Sequence, residues 1–124
     1  EEYSQRDQKG YHHAIAVHDA TLDGENVGGF AQSGEFVFQA ENPAEEDYPD
    51  GWVSSVFAHE LGHSMGLDAG EYTGIDSEDI SFSDYSSVMN YNAPDDYVDY
   101  SNGAPFNDWM FFQDQMHTPP VSSP

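Results

Sequence analysis

The chain has 124 residues, 24 of them Asp or Glu against two Lys or Arg, giving a net charge of −22, and it contains no cysteine. That length suits one domain around a single core; the charge excludes the basic surface that nucleic acid or an anionic membrane would need, and the missing thiols exclude disulfides and thiolate metal sites. Leu, Ile, Val and Phe make up less than a fifth of the chain, which with this charge ordinarily means disorder, but eight Phe, eight Tyr and two Trp offer the buried area for a compact core.

Both cationic side chains, Arg6 and Lys9, precede Gly10, so nearly all the carboxylates have only histidines as cationic partners. Self-repulsion then opposes the compact state at low ionic strength. Molar salt, with a screening length of about 3 Å, removes most of that penalty. The composition reads as that of a halophilic protein, ahead of a secreted protein loaded with Ca2+ or other cations on acidic loops, or an acidic surface that draws cationic substrates. No stretch is long and apolar enough to span a bilayer, and Glu1-Glu2-Tyr3-Ser4 is not a signal peptide.

Residues 1–10 form a polar, loose arm. Tyr11 to Ala20 reads as a strand, with Ala14, Ala16 and His18 opposite Ile15 and Val17. Within it His12 and His13 point to opposite faces and cannot easily chelate one metal together. Asp23-Gly24 and Gly28-Gly29 mark turns. Phe30-Ala31-Gln32 and Glu35 to Gln39 are two further short strands joined through Ser33-Gly34. Glu41 to Asp50 is an acidic, proline-containing loop without EF-hand spacing, and Asp50 stands where it would cap the next helix.

On that helix Val53, Val56, Phe57 and Leu61 recur at helical spacing as a packing side, leaving His59 and His63 to a cleft side. Residues four apart on a helix lie above one another, so both imidazoles can reach a single zinc ion, with Glu60 beside them to take a proton from water. Gly66 can adopt the left-handed conformation that ends a helix sharply. Leu67 to Tyr85, containing Gly70 and Gly74, reads as an irregular loop around the site. Met89 offers it an apolar, adaptable floor. Asn92 to Pro105 is again loop, with Asp95, Asp96 and Asp99 among tyrosines. Asn107-Asp108 then caps a last helix, Trp109 to Met116, anchored by Trp109, Met110, Phe112 and Met116. Residues 118–124 are a proline-rich tail.

His59-Glu60-Leu61-Gly62-His63-Ser64-Met65-Gly66, followed by Ser87-Val88-Met89-Asn90-Tyr91, resembles the metzincin metalloproteases, whose signature is HExxHxxGxxH with a methionine turn beneath the metal. The SVMNY segment is similar to the SxMxY turn of astacins and serralysins. The resemblance is close over residues 52 to 91 and a matter of layout elsewhere. It implies one small α+β domain spanning residues 1–124, with a short twisted sheet, an active-site helix, a methionine turn and a C-terminal helix. It further implies a monomeric zinc endopeptidase acting on peptides or proteins, secreted and processed from a longer precursor. In that scheme His59 and His63 bind zinc, Glu60 is general base and then proton donor to the leaving amine, and Tyr91 steadies the oxyanion. Gly29 to Phe38 would include the sheet edge along which an extended substrate lies.

The pattern breaks at its eleventh position, where the family places a third histidine, or an aspartate in snapalysin-like members, and this chain has Ala69. Asp68 is nearest but one residue early, which in an extended segment turns the side chain to the other side. Asp76 follows His63 by thirteen residues, beyond two glycines, and Thr73-Gly74-Ile75-Asp76 is loosely similar to the GTxD motif of aspzincins. Asp76 is preferred to Asp68, with Glu71 third. Two rival readings stand beside the endopeptidase: a catalytically degenerate binding module that keeps zinc for stability, suggested by Ala69 and opposed by Glu60, and an aspzincin-like peptidase.

Overall fold

The computed structural model describes residues 12–18, 20–32, 34–40 and 51–117. The expected N-terminal arm, the acidic loop 41–50 with Asp50, and the tail 118–124 lie outside the described residues. Five strands and two helices follow in order: β1 (His13–Val17), β2 (Thr21–Leu22), β3 (Glu25–Asn26), β4 (Gly29–Gln32), β5 (Glu35–Gln39), α1 (Trp52–Ser64) and α2 (Asp108–His117). The molecule is α+β.

The main sheet has the order β1-β5-β4. β5 is central, parallel to β1 with His13 opposite Glu35, and antiparallel to β4 with Gly29 opposite Phe38. Of the strand expected over Tyr11 to Ala20, the described residues show His13–Val17, and as an edge strand it leaves Ile15 45% exposed. Asp23-Gly24, with φ of 53° and 85°, turns the short β2-β3 hairpin that lies along the crossover from β1 to its parallel neighbour. Gln39, 1% exposed, ties this crossover to the sheet: its Oε1 accepts from Ala20 N at 3.1 Å and Asn26 Nδ2 at 3.2 Å.

α1 packs on β5 and β4. Phe36 and Phe38, two apart and therefore on one sheet face, each meet the Phe57 ring edge-on at 5.1 Å. The position before the helix is Gly51, at φ 97°, with no side-chain cap bond. On its other side α1 meets a lower core of Leu67, Ile75, Tyr85, Val88, Met89 and Phe112, joined by Ala58 and Met65. Met89 is fully buried and fits under Gly62, where a Cβ would fall 2.5 Å from its Sδ.

Leu67 to Tyr85 contains neither helix nor strand. α2 begins with Met110 N donating to Asn107 Oδ1 at 2.9 Å. Its orientation differs from the expected one: Trp109 and Met110 are 49% and 56% exposed, whereas Phe112 is 7% exposed. Asp108 is fully buried, and Phe112, one turn later, shares its face; the inward carboxylate thus fixes which stripe of α2 meets the core. The Met116 side chain lies outside the described part.

Candidate metal centre

α1 places the His59 and His63 rings on one face, 4.8 Å apart between centroids. Gly66, at φ 104°, then turns the chain so that Leu67 N donates back to Gly62 O at 3.0 Å. The same turn delivers Leu67 O to 2.7 Å from His63 Nδ1. His59 Nδ1 finds its partner far along the chain, Val88 O at 2.8 Å. Asp76 reaches the rings from the irregular loop, in a left-handed conformation with φ 54° that Asp tolerates better than most residues. Its N–H donates to Met89 O at 3.0 Å.

Asp76 Oδ1 lies 2.9 Å from His59 Nε2 and 3.0 Å from His63 Nε2, and the two Nε2 atoms are 3.1 Å apart. Among the described residues this is the group of His, Asp or Glu side chains able to share a metal ion. Because a carbonyl oxygen only accepts, both Nδ1 atoms must donate. Neutral rings therefore turn bare lone pairs at Nε2 toward a carboxylate oxygen, and three acceptors converge with no proton among them. Only a ring proton or a cation relieves that. Donors about 2.0–2.1 Å from a tetrahedral zinc ion stand roughly 3.3 Å apart, so the trio needs to spread only a few tenths of an ångström. Two imidazoles and a carboxylate, each ring oriented by a backbone acceptor, fit a zinc ion.

The electrostatics follow from the same closeness. Burial alone would raise the Asp76 pKa, but its hydrogen bonds with His59 and His63 hold it well below the usual carboxylate range. Burial opposes a charge on His63, yet the hydrogen bond and charge of Asp76 leave its pKa raised.

Glu60 is 7% exposed, and its Oε2 is the buried side-chain atom without a hydrogen-bond partner among the described residues. Burial raises its pKa, the charges of His59 and His63 pull it down, and the net shift is upward. β4 closes over it: a Cβ on Gly29 would come within 2.7 Å of Glu60 Cγ and 2.6 Å of Val37 O. Tyr91 is 56% exposed and stacks on His59 with centroids 5.7 Å apart. Partial burial, followed by the charges of Asp76 and Glu60, pushes its pKa up to about 12.

His59, Glu60 and Tyr91 border a cleft of about 450 Å³. Its floor is one stripe of α1, Trp52, Ser55, Val56, His59 and Glu60, and its walls include Gly29 on one side and Tyr91 on the other.

The structure thus brings together His59, His63, Asp76, Glu60 and Tyr91. Asp68 lies outside the group, exposed, with Oδ1 accepting from Gly70 N at 2.7 Å; Glu71 is exposed as well. Sequence reasoning missed the carbonyls of Leu67 and Val88, which no side chain announces. Neither protein-family models, nor curated protein sequences, nor solved structures give a significant match to this chain.

Proposed function

We propose that this chain is a zinc-dependent endopeptidase of the metzincin type in which His59, His63 and Asp76 hold the metal. The observation that carries the reading is Glu60: a buried carboxylate with an unpartnered oxygen, set beside the His/His/Asp group and facing a cleft. A closed structural zinc site has no use for such a group, and an unpaired buried acceptor is costly enough to call for a reason. A zinc ion bound there supplies Lewis acidity that polarises a carbonyl and makes water a better nucleophile.

The protein's own groups carry the proton. Glu60 accepts one from the water that attacks the scissile carbonyl carbon; as the C–N bond breaks, it returns that proton to the departing amine nitrogen. Burial suits it to both tasks, since a raised pKa makes it a stronger base and lets the acid form persist. Tyr91, with its pKa near 12, stays protonated at neutral pH and can donate to the developing oxyanion. The edge strand β4 gives an extended peptide a main-chain ladder beside Glu60.

Metal analysis and peptide digestion test the reading together. One zinc per chain is expected, with cleavage at internal peptide bonds that a chelator stops and added zinc restores. Stoichiometric zinc with no cleavage at low or molar salt would instead favour the zinc-stabilised binding module.

A further inference from the structure

Two of the three candidate ligands depend on one short turn. His59 Nδ1 donates to Val88 O, and Asp76 N donates to Met89 O; His63 depends instead on Leu67 O. What holds the turn is therefore what sets the relation of His59 to Asp76. Ser87 begins it, with Oγ accepting from Met89 N at 3.0 Å. The same hydroxyl donates to Asp108 Oδ2, in the first turn of α2.

Asp108 is fully buried in a chain that has no Lys or Arg beyond Lys9. Among the described residues its carboxylate is met by hydrogen-bond donors: Tyr85 Oη at 2.7 Å on Oδ1, with Ser101 N at 3.0 Å and the Ser87 hydroxyl on Oδ2. Burying a carboxylate is expensive even with such partners. An apolar residue would anchor α2 with less penalty, and Phe112 already does so. The carboxylate accomplishes something Phe112 cannot: being acceptor-only, it dictates that the Ser87 hydroxyl donates toward α2 and keeps its lone pair for Met89 N.

We propose that Asp108 is a positioning residue for the metal centre, acting through Ser87 to fix the 87–89 turn from which His59 and Asp76 are both oriented. It touches neither metal nor substrate. The proposal rests on the zinc reading above for its metal, but the ring orientation it concerns exists in the metal-free protein.

The test uses Ser87→Ala, Asp108→Asn, their double variant, and Ser101→Ala, which removes the hydroxyl that accepts from Asp108 N at 2.9 Å and leaves Ser87 untouched. Zinc affinity is measured by competition with a chelating dye, and the histidine ring N–H signals are recorded by NMR without metal. Ser87→Ala and Asp108→Asn should each weaken zinc binding about 10–100-fold, the usual scale for groups that orient ligands. The double variant should fall no further than the worse single one, because both break one chain of contacts. The His59 Nδ1–H signal should be lost or broadened while that of His63 persists. Ser101→Ala, which loosens the start of α2, should lower thermal stability and leave zinc affinity within about twofold, against the 10–100-fold loss above.

Unchanged zinc affinity and His59 signal in a folded Ser87→Ala would overturn the proposal. So would a fall in Ser101→Ala equal to that in Ser87→Ala, since Asp108 would then merely hold the fold. If Asp108→Asn does not fold, Ser87→Ala decides alone. A parent that binds zinc but cleaves nothing would end the peptidase reading and leave this one intact; a parent that binds no zinc leaves the His59 signal to decide it.

Discussion

His59 Nε2 and His63 Nε2 face each other at 3.1 Å, while the far nitrogen of each ring is committed to a backbone carbonyl. Without metal, a proton must sit where the ion would. For His63 the raised pKa means stability fully present below its unfolded value of 6.5 and lost as pH rises through the higher folded value. Glu60, raised from 4.5, acts in the same direction. Asp76, lowered from 3.8, contributes above that value and loses its contribution only in strong acid. Metal-free protein in molar salt should therefore be more stable near pH 5 than near pH 8. Zinc competes with the same protons, so the stabilisation it confers should grow with pH. Thermal melts with and without zinc across that range check both slopes; a zinc increment that shrinks with pH would contradict the assignment.

Glu60→Gln removes the base but no proposed ligand. Zinc content should stay at the parent level while the peptide-cleavage rate falls at least about a hundredfold. A variant as fast as the parent would remove Glu60 from the mechanism.

Asp76→Ala and Asp68→Ala separate the two carboxylates. Asp76 sits within 3.0 Å of both Nε2 atoms, whereas Asp68 accepts from its own loop at Gly70 N. Asp76→Ala should release zinc on dialysis and abolish activity, and Asp68→Ala should leave both near the parent level. The reverse pattern would mean a different path for the chain after Gly66.

Gly62→Ala sets two magnitudes against each other. Alanine in a helix interior gains roughly 1 kcal/mol over glycine, but here its Cβ would lie 2.5 Å from Met89 Sδ and 3.2 Å from Tyr100 Cε1. Met89 is fully buried, so its sulfur can move aside only by displacing the side chains packed around it. Overpacking of this kind costs about 1–3 kcal/mol, so the melting temperature should fall; a rise would show that the methionine yields freely.

Salt should govern folding itself. With a charge of −22 and no cation after Lys9, circular dichroism in dilute buffer should show lost structure that molar KCl or NaCl restores. Equal stability in dilute buffer with EDTA and in molar salt would defeat the halophilic reading.

The sequence alone determined what depends on neighbours within a turn or a strand. The i, i+4 spacing placed His59 and His63 on one helix face, Gly66 ended that helix, and β-rich runs around Ser33-Gly34 marked β4 and β5. The same local logic erred where a distant contact outweighed it. Trp109 and Met110 were expected inside, yet the buried Asp108 turns α2 so that Phe112 enters the core. The sequence also left the third carboxylate open. Tertiary structure separated Asp76 from Asp68, because the segment from the end of α1 to Asp76 contains neither helix nor strand and so has no periodicity from which a side chain's direction can be read. Their path is set by packing, through the bond from Asp76 N to Met89 O and the burial of Ile75 and Tyr85. The carbonyls that orient the rings and the isolation of Glu60 Oε2 were likewise decided by tertiary structure, since each is the meeting of segments far apart in the chain.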